Sequence, residues 1–289
     1  MRKTKRLTLF LFLLPWIATF AIFTVYPLVF SVVVSFTDYS GLNPKMSYVG
    51  IKNYARAFSD PVFIKALANT FSFVLVTVPA TTIISFCLAL LLTSGIRLKR
   101  LFQAGFFLPS VISMVVISMI WLYIFSATGP LNLLLSSIGL KVSMQSWLAS
   151  SKTALGSIMV MDIWSAVGYY TVLFVAGLQS IPVQLYEAAQ VDGATKWQMT
   201  RRITLPLLKP TVFFVISINS IRSFQIFTEI FTLTGGGPAN STQTVVHYLY
   251  DTSFRKFEMG YGSAIAYILF VVILLITLVQ RKLLKGEQL

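Results

Sequence analysis

Six apolar stretches, each at or beyond the roughly 20 residues that a helix needs to cross bilayer hydrocarbon, constrain this chain more than any other feature. They cover approximately residues 7–36, 68–93, 104–126, 153–181, 210–234 and 260–280. With 56% hydrophobic and only 11% charged residues, a water-soluble globule is excluded. The first stretch follows Arg2, Lys3, Lys5 and Arg6 as a signal peptide would. Its apolar run is far longer than the roughly 7 to 15 residues of such a segment and no small-residue cleavage site follows, so it reads as a retained helix. The sequence therefore predicts an all-α integral membrane protein of six transmembrane helices, forming a single transmembrane domain over residues 1–289. One cysteine, Cys87, and one histidine, His247, assemble neither a disulfide framework nor a Cys/His metal site.

Charge is scarce and lopsided, with 23 Lys+Arg against 9 Asp+Glu. Placing the N-terminus in the cytoplasm puts fourteen basic residues inside, among them Arg97, Lys99, Arg100, Lys196, Arg201, Arg202 and Lys209. Eight lie outside, and Arg222 alone falls within a span. The positive-inside rule then predicts that both termini are cytoplasmic. A nucleic-acid footprint needs basic residues gathered on one folded surface with aromatic platforms. Here they flank apolar spans, so nucleic acid is excluded as a partner and membrane lipid is expected.

The loops differ in kind. The first external loop, residues 37–67, carries the amphipathic stretch IKNYARAF, which suits an interfacial helix. The loop GGGPANSTQTVVHYLYDTSFRKFEMG before the last span reads as polar and aqueous. Its GGGP is a glycine turn and no phosphate cradle, because the string GxxxxGK[ST] of a P-loop occurs nowhere in the chain.

Ionisable groups inside spans are costly and mark functional candidates; three occur, Asp162, Arg222 and Glu229. On a continuous fifth span, Asn219, Arg222, Gln225 and Glu229 fall within an arc of about 120°. Such a face either lines a polar path, where amides and charges hydrogen-bond hydroxyl-rich solutes, or forms an ion network that fixes packing. Both readings stand. Asp162 is expected to bond a neighbouring helix, and Tyr169 and Tyr170 either to pack or to line the path. No nucleophile–base pair stands out that would make this an enzyme.

The most patterned segment is the cytoplasmic loop at 182–209, SIPVQLYEAAQVDGATKWQMTRRITLPLLKP with its flanks. Pro182 suits a first helical turn, Gly193 a helix end, and Pro206 and Pro210 a stop and restart. Two short helices about a glycine, with Ala188 and Ala189 on one face, form a knob that a groove on another protein can receive.

Glu187-Ala188-Ala189, then Asp192-Gly193-Ala194, then Ile203 and Leu205-Pro206 resemble the EAA loop of permease subunits of bacterial binding-protein-dependent ABC importers. YVGIKNYARAFSDPVFIKALANT, FFLPSVIS, TGGGPANST and FEMGYGSAIAYIL resemble the carbohydrate-uptake branch, the maltose and glycerol-3-phosphate type permeases, and the likeness covers nearly the whole chain. Met199 departs from it, standing where that branch often has an aromatic.

The resemblance implies the type I ABC importer permease fold in the bacterial inner membrane, and a coupling helix, here Glu187, Ala188, Ala189, Asp192, Gly193 and Ala194, that docks into a cleft of a cytoplasmic ATPase. It also implies a second homologous permease subunit, an ATPase dimer that uses ATP and Mg, and an external solute-binding protein. No cofactor is expected on this chain. The rival reading is a secondary transporter driven by an ion gradient, which places coupling carboxylates and broken helices near the midplane.

Overall fold

In a computed structural model of the protein, the residues described are 12–43, 45–94, 97–139 and 146–284. The basic cluster Arg2, Lys3, Lys5 and Arg6, the start of the first predicted span, Lys141 and Lys285 lie outside them. The described residues are mainly helical and form no strand, with one isolated bridge between Thr37 and Tyr48.

Four helices are long and apolar enough to cross a membrane: α1 (Phe12–Ser35), α3 (Pro61–Thr93), α7 (Ala154–Gln179) and α13 (Met259–Leu284). Between them lie α2 (Lys52–Ser59), α4 (Lys99–Val111), α5 (Met114–Ile124), α6 (Pro130–Ser137), α8 (Val183–Val191), α9 (Lys196–Leu207), α10 (Lys209–Phe224), α11 (Thr228–Leu233) and α12 (Val245–Tyr250). Two bent pairs, α4 with α5 at 97° and α9 with α10 at 67°, raise the number of candidate spans to six.

Several predicted elements change shape. The third span is no single rod: Pro109 weakens the helical ladder, Ile112 turns extended, and α5 starts afresh after Ser113. The fifth span ends at Phe224 and resumes at Thr228, so residues 219–229 share no continuous helix. The second starts at Pro61, before the predicted residue 68, and its 33 residues make about 50 Å of helix, well beyond the hydrocarbon thickness. Pro182 lies just outside α8. Pro206 does not stop its helix, because the widened π turn Thr200–Thr204 precedes it. The same device, Ala21–Val25, precedes Pro27 in α1. A π turn loosens the ladder where a proline ring meets the preceding turn and offers no N–H.

The chain groups into two compact units, one from residues up to Asp60 with Leu249–Phe270, the other from Pro61–Tyr248 with the residues from Val271 onward. In the first, α2 is the expected amphipathic helix. Arg56 pairs with Glu258 at 2.8 Å and lies 4.0 Å over the ring of Tyr261, whose hydroxyl donates to Asp60 at 2.8 Å. Ser31 meets the Tyr267 hydroxyl at 2.8 Å. The second unit is built on α3 against α7. One core gathers Phe73, Ile117, Phe125, Ile158, Met161 and Ile230; the other gathers Ala89, Leu92, Tyr170, Phe174 and Val215. At Gly168 the α7 backbone lies against the Phe106 carbonyl of α4, with no room for a Cβ.

The loop after α11 is not the aqueous connection predicted. Thr242, Thr244 and His247 are fully buried, and Gly235 and Gly236 take positive φ angles of 56° and 84°. Asn69 of α3 donates to the carbonyls of Asn240 and Gln243 at 3.0 and 2.9 Å. Lys65 reaches the carbonyl of Ala239 at 2.7 Å. The Thr242 hydroxyl meets that of Thr234 at 2.8 Å and donates to the Gly237 carbonyl at 2.7 Å, which is how polar groups are buried without loss, whereas the buried Ser241 hydroxyl has no partner among the described residues.

Candidate functional site

The break in the predicted fifth span gathers the three ionisable groups that the sequence places within spans. Arg222 stands in the last turn of α10, Gln225 caps that helix, and Glu229 opens α11. The guanidinium lies 3.1 Å from Asp162 of α7 and 3.8 Å from Glu229; the two carboxylate side chains are 5% and 8% exposed, Arg222 38%. Two buried anions on one half-exposed cation keep all three groups tolerable in an apolar surrounding. Asp162 thus bonds a neighbouring helix, as expected.

A cleft of about 360 Å³ is lined by Asp162, Arg222, Gln225, Thr228, Glu229 and the ring of Phe227, among others. Beside it, a second cleft of about 300 Å³ shares Ser110 and Arg222 and adds Ser165, Tyr169 and Tyr170. Tyr170 is 1% exposed and packs in the core, whereas Tyr169 stays 42% exposed. Hydroxyls, an amide, charges and aromatic rings facing one space form a lining suited to a hydroxyl-rich solute.

Of the four residues grouped by helical periodicity, Arg222, Gln225 and Glu229 meet here. Asn219 does not: it is fully buried, and its Oδ1 accepts from the Ser223 hydroxyl at 3.4 Å. Two contributors were missed. The Thr244 hydroxyl donates to the Ile226 carbonyl, 3.1 Å away within the break, and Thr70 of α3 accepts the Val245 N–H at 3.0 Å. The buried loop therefore braces the break. Its only sequence signal was the density of threonine after GGGP. Among the described residues, no three His, Cys, Asp or Glu side chains converge as a metal site.

The second candidate site is the knob at α8 and α9. Gly193, at φ +78°, ends α8 with two backbone bonds, Gly193 N to Gln190 O at 3.0 Å and Ala194 N to Ala189 O at 2.9 Å. This is the Schellman closure, which favours glycine in the left-handed position. Two residues on, Thr195 caps α9 reciprocally with Gln198, so the link between the helices is short and stiff. The Tyr186 hydroxyl meets Thr204 at 2.9 Å and ties the two helices together. Glu187, Ala188, Asp192 and Gly193 are exposed, and Ala189 and Ala194 half-buried. Val191 and Trp197 stand 89% and 70% exposed, an apolar surface of the kind that partners cover.

The model of the family described as "Binding-protein-dependent transport system inner membrane component" matches residues 82–286, which include both sites. The chain belongs to this family. Among relatives of this permease, the probable ABC transporter permease YurN of Bacillus subtilis is 36% identical over 279 residues, 96% of this chain and 95% of that protein. The arabinooligosaccharides transport permease AraP of the same organism is 34% identical over 291 residues, 98% of this chain and 91% of AraP. The lactose transport permease LacF of Rhizobium radiobacter is 34% identical, with 93% and 91% covered.

Among solved structures, a bacterial ABC transporter involved in import of the acidic polysaccharide alginate matches the permease with TM-score 0.87 at 26% identity, over 100% of this chain and 99% of that one. A bacterial alginate ABC transporter in complex with an alginate-pentasaccharide-bound periplasmic protein matches at 0.86 and 26%, with 99% and 98% covered. The four long helices and two bent pairs thus belong to an ABC importer permease.

Proposed function

We propose that this permease is the membrane-spanning subunit of an ATP-driven importer that translocates a sugar or related solute delivered by an external binding protein. The observation that carries the reading is near full-length similarity to permeases named for arabinooligosaccharides and lactose, together with a half-exposed polar cleft at the break in span five.

The chain works as one permease domain of six spans in the bacterial inner membrane, with both termini cytoplasmic and the knob on the cytoplasmic side. A cleft open on one side suits closure by a second, homologous permease subunit. Arg222, Gln225 and Glu229 line the path between the subunits, with Asp162 holding Arg222 in place. The binding protein engages the external loops. The knob residues Glu187, Ala188, Ala189, Asp192, Gly193 and Ala194 dock into an ATPase dimer, which binds the ATP and Mg, and closure of that dimer moves the membrane helices. The exposed Val191 and Trp197 beside the motif support docking.

Gly193→Val and Glu187→Lys test it. A Cβ at Gly193 meets open space but at φ +78°, which costs a β-branched residue upward of about 1 kcal/mol and distorts the link. Both variants should insert normally, lose co-purifying ATPase and lose uptake about tenfold or more. Normal assembly with normal uptake in both refutes docking at this knob.

A further inference from the structure

An apolar groove of about 750 Å³ runs between α3, α4 and α7, lined by Ile84, Leu88, Leu101, Gly105, Phe106 and Trp164, among others. The close approach of α4 to α7 at Gly168 closes its floor, while Trp164 remains 48% exposed at its rim. The groove is of ligand size and almost wholly apolar, so its occupant carries a long hydrocarbon body.

The charge at one end says which. Leu101 and Phe102 line the groove at the start of α4, directly after Arg97, Lys99 and Arg100. Lys99 precedes Phe102 by three residues and so shares its helix face. Arg97 and Arg100 are exposed and Lys99 half-buried, and among the described residues none of the three forms an ion pair. Basic residues at the cytoplasmic end of an apolar inter-helix groove match a phosphate headgroup above an acyl chain.

We propose that this groove holds one anionic phospholipid of the cytoplasmic leaflet, its acyl chain along α4 and its phosphate on Lys99 and Arg100. The site rests on the cytoplasmic placement of this end of α4 proposed above. It also bears on transport. Pro109 lines both the groove and the cleft that holds Tyr169, Tyr170 and Arg222, so a chain in the groove supports from behind the α4 segment that walls the cleft.

Gly105 supplies the test, because a Cβ there meets nothing within 4 Å, and Gly105→Trp fills the groove without disturbing the packing beneath. The assembled importer is exchanged into micelles of equimolar phosphatidylglycerol and phosphatidylethanolamine, and retained lipid is counted by native mass spectrometry. Wild type should retain one lipid with about tenfold preference for phosphatidylglycerol. Gly105→Trp should lose that lipid and lower uptake with subunit stoichiometry intact. Lys99→Gln with Arg100→Gln should keep a lipid but lose the preference.

Retention without headgroup preference in wild type, or unchanged by Gly105→Trp, overturns the site. Dissociation of the second permease subunit by Gly105→Trp also overturns it, since the groove is then a protein interface. Arg97→Cys labelled by an impermeant thiol reagent only from outside the cell overturns the topology reading itself. Labelling only from inside leaves that reading standing whatever the lipid arms show.

Discussion

Arg222 lies between two buried carboxylates, so its removal does more than delete a hydrogen bond. Arg222→Gln strands Asp162 and Glu229 in an apolar surrounding, a change of the kind that costs about 3 to 5 kcal/mol, and the yield of assembled complex should fall. Adding Asp162→Asn removes one stranded charge and should restore assembly. If Arg222 lines the path, uptake by the double variant stays about tenfold or more below wild type; wild-type uptake reduces the trio to a scaffold. Assembly is read by size-exclusion of the purified complex and uptake with labelled solute.

Of the four residues that periodicity grouped, three line the cleft, for a geometric reason other than the one assumed. Arg222, Gln225 and Glu229 come together because the helix breaks at residues 225–227, not because it continues. The same assumption of a continuous helix wrongly included Asn219. The sequence marked Asp162 for a bond to a neighbouring helix without naming Arg222 as its partner, and Thr70 and Thr244 act through backbone carbonyls and amides that no residue pattern exposes.

At the scale of elements, the knob was the most legible part of the chain. A glycine after a run of helix formers carries its own physics, and Gly193 is a helix-ending residue as read. The bent spans were less legible, since hydropathy registers an apolar run whether or not its backbone is straight. Proline also misled in the other direction: Pro206 was read as a stop, yet a π turn before it absorbs the missing N–H. The glycine-rich loop shows a similar limit. Its polarity was taken for exposure, but the polar groups are spent on α3 and on the break.

One contact between elements decides how α4 sits. Gly168→Ala places a methyl group against the Phe106 carbonyl, and overpacking of this kind costs about 1 to 3 kcal/mol. The purified complex should melt at lower temperature. Gly156→Ala, with no atom within 4 Å of its Cβ, is the control and should leave melting unchanged. Equal melting of the two variants contradicts the close approach of α4 to α7.

For the whole molecule, the net charge of +14 orients the chain in the topology proposed above, and the scarcity of charge in the apolar stretches isolates Asp162, Arg222 and Glu229. The cleft at the broken span and the knob at α8 and α9 lie in the same compact unit, which joins the proposed path and the proposed motor contact within one body. On the function proposed above, this permease moves solute only with an ATPase and a binding protein. The deciding measurement is uptake into proteoliposomes containing the permease, its homologous partner and the ATPase, with the cognate binding protein supplying its labelled saccharide. Uptake should require ATP and the binding protein together and persist when proton and sodium gradients are collapsed. Uptake driven by either gradient, with ATPase and binding protein left out, would contradict the account.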